Sequence, residues 1–353
     1  MPSSSASASA SASASPARAA RRRHASSSSA AASASASVHA SEIAHFTRLA
    51  SQWWDPHGEF ALLHAMNPVR IEFMRSKMEE VRLWDDALRA AAARRRVHTA
   101  DSSSSSSSKG KQRAQEDEQE TRPRASFLHD LDVLDVGCGG GFLSESLTRL
   151  GARTLGIDAA SSNINIARAH AALDPALTSH PSRPSSLTYR DCTAEVLRHE
   201  GAQFDVVCAM EVVEHVRNPA DFLRTLGALL KPGGHLFLST IARTPVAHFL
   251  TIAMAEHILR LVSPGTHTYT QYIKPAEMLD FFKKSPANGG LGWLEQHQAA
   301  SGNQTVPDRL RYEIRGTAYL PWKSAWQLAD RNASPAWSQL ANYFFWARKP
   351  FDP

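Results

Sequence analysis

Cysteine is scarce in this 353-residue chain: three occur, at Cys138, Cys192 and Cys208, and none is part of a CxxC pair. An odd, scattered set excludes a disulfide framework and a thiolate zinc site and fits a reducing compartment. Each lies within or beside an apolar run, where it reads as a small core residue. No uncharged apolar run reaches about 18 residues, so no segment is expected to span a membrane. Acidic residues are absent until Glu42, and residues 1–40 are almost wholly Ser and Ala with Arg18, Arg21, Arg22 and Arg23. Such a stretch buries too little apolar area to fold; it reads as an organelle transit peptide, with a plain low-complexity tail as the alternative. These arginines carry most of the formal net charge of +5. No basic face with interleaved aromatics is left, so nucleic acid is excluded as a partner.

A second stretch poor in apolar residues runs from 89 to 125: AAARRR, seven serines from Ser102, then KGKQRAQEDEQETRPRA. It predicts a disordered insertion between lid helices at 41–88 and a core at 126–353. In the lid, Ser41 is a candidate cap for EIAHFTRLASQWWD, with Ile43, Phe46, Leu49 and Ala50 on one face. Trp53 and Trp54 suit either core or lid packing. Asn67, Pro68 and Arg70 suggest a proline turn from which Arg70 reaches a ligand carboxylate as a bidentate partner.

What is abundant, locally, is glycine. Leu131, Val133, Leu134 and Val136 form a strand-like run that ends at Gly137, Gly139, Gly140 and Gly141. Phe142, Leu143, Leu147 and Leu150 then recur at helical spacing, and Asp158 ends the next strand, TLGID, 21 residues after Gly137. A strand, glycine turn and helix start make a nucleotide cradle, and a carboxylate at the second strand tip can accept both ribose hydroxyls. A dinucleotide fingerprint needs glycine at position 142, where Phe142 stands. The pattern D-x-G-x-G-G-G from Asp135 resembles motif I of class I S-adenosylmethionine-dependent methyltransferases, whose cofactor has no pyrophosphate to seat.

Beyond Asp158 the αβ alternation continues through the helix NINIARAHAAL, strands at Leu187–Asp191 and Phe204–Met210, the helix NPADFLRTLGALL, a KPGG turn and the strand HLFLST. Strands at Trp293–Gln298 and Asn342–Arg348 complete the expectation: an α/β, Rossmann-like, seven-stranded sheet with helices on both faces, residues 300–340 being loop-rich. The fourth strand runs into Met210, Glu211, Val212, Val213, Glu214 and His215, beyond the carboxyl end of a parallel strand where ligands bind. A helical first turn there would put Glu211 and Glu214 on one face with His215 beside them. Two carboxylates and an imidazole suit Mg²⁺ holding the paired oxygens of a catechol. His215 acting alone as general base, or acids merely favouring a helix N-terminus, are the alternatives. Residues 245–265 read either as a core helix or as an interfacial helix that dips into the bilayer towards a lipid-tailed substrate.

EIAHF, WWD with GEF, NPVR, LDVLDVGCGGG, LGID, AMEVVEHV, KPGG, STIAR and AEHILRLVSPGTHTYTQYIKP occur in order, and with them the chain resembles the ubiquinone biosynthesis O-methyltransferase family. The resemblance implies methylation of phenolic hydroxyls on polyprenylated rings, at two separate steps of the pathway. It further implies the matrix side of the mitochondrial inner membrane, a peripheral membrane contact and a multi-enzyme complex. Carried over by position, it assigns Arg70, Gly137, Asp158 and Met210 to S-adenosylmethionine, and Glu211, Glu214 and His215 to a metal, with Glu214 and His215 catalytic. Asp191, at the third strand tip, is added as a candidate beside the adenine. The competing readings are a methyltransferase for another phenol, a non-catalytic scaffold and a nicotinamide oxidoreductase.

Overall fold

The computed structural model describes residues 38–101, 126–178, 186–250, 268–295 and 306–351, with backbone alone over 95–101. The leader through residue 37, residues 102–125 of the insertion and residues 251–265 of the apolar segment lie outside the described residues. Five parallel strands form the centre: β1 (Asp132–Val136), β2 (Arg153–Asp158), β3 (Leu187–Asp191), β4 (Phe204–Met210) and β5 (Leu230–Ile241). They are extended by antiparallel β8 (Asn342–Arg348), β6 (Tyr312–Leu320) and β7 (Ala325–Leu328), giving the order β3-β2-β1-β4-β5-β8-β6-β7. Among the described residues the sheet thus has eight strands, one more than expected: β6 and β7 are both added, and the strand expected at Trp293–Gln298 is not in it, residues 296–298 lying outside the described residues. Residues 300–340 contain the β6–β7 hairpin, whereas Trp293–Glu295 is helical and buries Trp293 and Leu294 in the core.

The central strands read as continuous apolar runs because both faces are covered. In β4, Val206, Cys208 and Met210 face one side, packing with Val133, Met66, Phe73 and Phe344. Val207 and Ala209 face the other, with Leu134, Phe222, Leu226 and Phe282. All three cysteines are free, and Cys138 and Cys208 are buried.

Before the sheet come α1 (Ala40–Leu49), a 3₁₀ turn at Ala50–Gln52 and α2 (Ala61–Asp101), a 41-residue helix. Helix α1 begins one residue before Ser41; its cap position is His39, which makes no side-chain cap bond. Pro68 sits inside α2 rather than in a turn, and α2 continues past Arg89 to Asp101. Proline removes one helical hydrogen bond, a cost of about 3 kcal/mol in an isolated helix. Here the burial of Met66, Val69, Phe73, Met74 and Val81 along one stripe offsets it. Two cations, Arg70 and Lys77, lie on that same buried stripe.

Helices α3 (Phe142–Arg149), α4 (Ser161–Ala171) with the short α5 (Pro175–Thr178), α6 (Ala194–His199) and α7 (Pro219–Ala228) follow β1, β2, β3 and β4 in turn. The C-terminal half adds α8 (Pro245–His248), α9 (Pro275–Lys283) and α10 (Pro335–Ser338). None of the described helices is long and apolar enough to cross a membrane.

Candidate active site

The turn after β1 needs glycine for two separate reasons. Gly137, Gly139 and Gly141 have φ of +70°, +53° and +88°, a region in which a side chain is strained. A Cβ at Gly137 would also stand 2.6 Å from Val212, and one at Gly139 2.3 Å from the Trp53 ring. The turn is pinned to β2, with the Gly137 and Cys138 N–H groups donating to the Ile157 carbonyl at 2.8 and 3.0 Å. Asp158 then fixes the second edge of the cradle: its carboxylate accepts from Gly139 N, Ala160 N and Asn163 Nδ2. Burial pushes the Asp158 carboxyl up, and the N–H donors pull it part of the way back.

The lid lies directly on this turn. Trp53 stacks on Phe60 at 3.7 Å and donates to Asn163 Oδ1, while Trp54 donates to the Gly140 carbonyl and stacks on His170 at 3.3 Å. Beneath lies a cavity of about 420 Å³, a size suited to a cofactor-sized ligand. Arg70, Gly137, Asp158, Met210, Glu211, Glu214 and His215 all line it. Asp191 does not. It is exposed at the tip of β3, paired in register with Asp158, and the adjacent Cys192, Thr193 and Ala194 line the cavity in its place.

The two cations of α2 differ sharply. Lys77 is fully buried but well partnered: it donates to Glu80 and the Arg309 carbonyl, pairs with Glu313 and sits 4.7 Å over the Trp346 ring. Arg70 is 3% exposed, and its Nε and Nη2 have no hydrogen-bond partner. Burial lowers its pKa, opposed by the charges of Glu211, Asp135 and Glu214. A buried guanidinium with bare donors facing a cavity is costly unless an anion arrives, and the methionine carboxylate of the cofactor is such an anion.

Beyond β4 the backbone turns sharply. Glu211 takes φ of +58°, rare for a residue with a side chain, and its N–H is held by Ser239. A 3₁₀ turn at Val213–His215 follows, so the glutamates come off a kink and not one helical face. The buried Glu211 Oε1 has no partner. Glu214, 3% exposed, accepts from Thr240 Oγ1 at 2.9 Å. Burial first, then the Glu211 charge, pushes the Glu214 carboxyl up to about 7. His215 turns towards the lid, its Nδ1 3.0 Å from Glu42 Oε2. Among the described residues no three His, Cys, Asp or Glu side chains are gathered closely enough to hold a metal ion. The chemistry of the pair nevertheless fits a dication: a buried Glu214 with a raised pKa beside a half-buried Glu211 whose Oε1 is orphaned is relieved by positive charge.

The β6–β7 hairpin also lines the cavity. Ala318, Tyr319 and Trp326 line the cavity, and Trp326 Nε1 donates to the Leu62 carbonyl, tying the hairpin to α2. The sequence reading missed these residues, and it missed Glu42.

A sheet of this order, parallel over β1–β5 and antiparallel beyond, with a glycine turn after β1, an acid at the tip of β2 and a cavity lined by both, defines a class I S-adenosylmethionine-dependent methyltransferase. A family model described as "Methyltransferase domain" matches residues 74–285. The chain is 35% identical over 317 residues to the mitochondrial ubiquinone biosynthesis O-methyltransferase of Schizosaccharomyces pombe, covering 89% of this chain and 87% of that one. It is 39% identical over 250 residues to the ubiquinone biosynthesis O-methyltransferase of Caulobacter vibrioides (70% of this chain, 81% of that one) and 37% identical over 248 to the ubiquinone biosynthesis O-methyltransferase of Brucella ovis (70% and 82%). The chain belongs to the ubiquinone biosynthesis O-methyltransferase family and is an S-adenosylmethionine-dependent O-methyltransferase.

Asp158→Ala is expected to weaken S-adenosylmethionine binding by about 10-fold or more, since hydrogen bonds to a charged acceptor are worth about 1.5–3 kcal/mol. Calorimetric titration of the folded variant reads this directly, and unchanged affinity would remove the ribose role.

Proposed function

We propose that the protein methylates a phenolic hydroxyl beside a second ring oxygen on polyprenylated substrates, namely dihydroxybenzoate and demethylubiquinol intermediates, at the matrix face of the mitochondrial inner membrane. The observation that carries this reading is the make-up of one cavity. Its lining brings together bare Arg70, the glycine cradle, the Glu211–Glu214 pair and apolar residues such as Leu250, Pro321 and Trp326. Leu250 is itself 45% exposed, and its chain neighbours Val246 and Phe249, like Trp322 next to the lining residue Pro321, are each more than 40% exposed. An apolar rim suits a substrate whose tail stays in a membrane and a protein that rests on that membrane. The mitochondrial name of the S. pombe relative and the Arg- and Ser-rich leader support the location. Membership of a multi-enzyme complex belongs to the same reading.

In this proposal Arg70 binds the cofactor carboxylate, Asp158 its ribose, and Gly137 and Met210 pack against it. Glu211 and Glu214, with His215 as third donor, would hold Mg²⁺, which lowers the pKa of a phenol from about 10 and so favours the oxyanion. With His215 committed as the third donor, the phenolic proton leaves to solvent; without the metal, the free Nε2 of His215 takes that proton instead. The phenolate oxygen attacks the sulfonium methyl; as the C–O bond forms, the S–CH₃ electron pair returns to sulfur and S-adenosylhomocysteine leaves. The apolar walls exclude water from the methyl group.

Methyl transfer to a short-tailed dihydroxybenzoate, with chelator and with Mg²⁺ restored, tests this reading. Turnover is expected to vanish with chelator and return with Mg²⁺. Chelator-independent turnover would remove the metal and keep His215 as a simple base, and absence of turnover despite bound cofactor would remove the substrate assignment.

A further inference from the structure

Helix α1 grips the loop after β4 at three points. Val38, just ahead of the helix, pairs with Val216 as an isolated antiparallel bridge. Glu42 Oε2 stands 3.0 Å from His215 Nδ1, although the residues are 173 apart in sequence. Phe46, one turn further on, packs edge-on against the His215 ring at 5.4 Å and 87°. The ring therefore has a wall, a strand clamp and one polar partner, all supplied by the lid.

The polar partner decides the tautomer. An ionised carboxylate only accepts hydrogen bonds, so Nδ1 must carry the proton; in the neutral ring the lone pair is then on Nε2. His215 lines the cavity, and both roles open to it, taking a phenolic proton or donating to a cation, use that lone pair. With Nδ1 unheld, the ring is free to exchange tautomers and to rotate.

We infer that Glu42 is the positioning residue of His215: its carboxylate orients the imidazole and holds the proton on Nδ1, so that a reactive Nε2 is presented only when the lid helix is in place. The pair's electrostatics agree with the geometry. The bond from His215 holds the Glu42 carboxyl below its usual range, despite burial. Burial pulls the imidazole down, but the Glu42 bond and the Glu214, Glu42 and Glu211 charges outweigh it. The rest of the lid sits on the cofactor side, where Trp53 and Trp54 rest on the glycine turn. One segment thus touches both the cofactor loop and the group that works on the acceptor, and closing it over bound cofactor completes the second half of the site. The inference rests on the proposed role of His215.

A double-mutant cycle tests it in the full-length protein. Glu42→Ala is expected to lower kcat by about 10- to 100-fold, the usual size for a residue that orients a working histidine, while the S-adenosylmethionine dissociation constant, read by calorimetry, stays within about twofold. Glu42→Gln, whose amide oxygen still accepts from Nδ1–H, should recover most of the rate. Adding Glu42→Ala to His215→Ala should cost nothing more, because a residue acting only through His215 has nothing left to act on. In ¹⁵N-histidine-labelled protein the His215 signals, assigned by their loss in His215→Ala, should report the Nδ1–H tautomer in the native enzyme and lose it in Glu42→Ala. Additive losses, a parallel fall in cofactor affinity or an unchanged tautomer would overturn the inference. If His215→Ala turns over normally, the role of His215 itself falls, a failure separate from an unchanged tautomer in Glu42→Ala.

Discussion

Replacing Arg70 with methionine is expected to weaken S-adenosylmethionine binding by about 100-fold, while the sheet and lid remain folded. The size follows from the state of the side chain. Arg70 is buried, and two of its nitrogens are bare in the ligand-free protein. A cofactor carboxylate that fills them forms a pair of charge-assisted hydrogen bonds out of water, and each such bond is worth about 1.5–3 kcal/mol. About 2.7 kcal/mol corresponds to 100-fold. Methionine keeps most of the apolar stem that packs on the stripe of α2. Lys77→Met, two turns along the same helix, is the matching control. It breaks a network with Glu80, Glu313 and Trp346, so it should lower the melting temperature and leave the cofactor dissociation constant nearly untouched. Titration calorimetry and thermal unfolding of both variants separate the two cations. Equal loss of affinity in the two would mean that Arg70 acts only by holding the helix.

These two residues also show what the sequence could and could not reveal. Arg70 was legible as a cation close to a cofactor cradle, yet the proline before it suggested a turn. Pro68 is instead absorbed by a helix whose buried stripe outweighs one lost backbone bond. The cradle itself was readable because positive φ and close approach leave glycine as the only fit, so the chemistry is written into residue type. The strands β1, β4 and β8 were readable as apolar runs. The β6–β7 hairpin was not: the residues of Tyr312–Leu320 are mostly half-buried, which blurs any two-residue alternation. Glu42 carried no signal as a partner of His215, because a contact 173 residues apart exists only after the lid has folded onto the sheet. The kink at Glu211 was invisible for a similar reason. Its left-handed backbone is imposed by Ser239 on the neighbouring strand and not by its own residue type.

That kink makes Glu214 the position with the largest expected catalytic effect. Glu214→Gln should reduce kcat by about 10³-fold or more, with cofactor affinity nearly unchanged. The substitution keeps the side-chain volume and an oxygen to accept the Thr240 hydroxyl, so folding is not at risk. What it removes is the negative charge. Burial, with the Glu211 charge added to it, pushes Glu214 up to about 7, and a bound dication would relieve both. With one charge gone, Glu211 remains a single carboxylate with an orphaned oxygen, and the affinity of a dication for the site collapses. Loss of electrostatic support for a developing phenolate is worth several kcal/mol, and about 4 kcal/mol is 10³-fold in rate. A second readout does not depend on turnover. A ligand that binds only the folded state raises the unfolding temperature, so millimolar Mg²⁺ should stabilise the native protein against heat and leave Glu214→Gln unmoved. A variant that keeps both the Mg²⁺ shift and the native rate would remove Glu214 from the metal group and leave His215, held by Glu42, as the sole base at the phenolic oxygen.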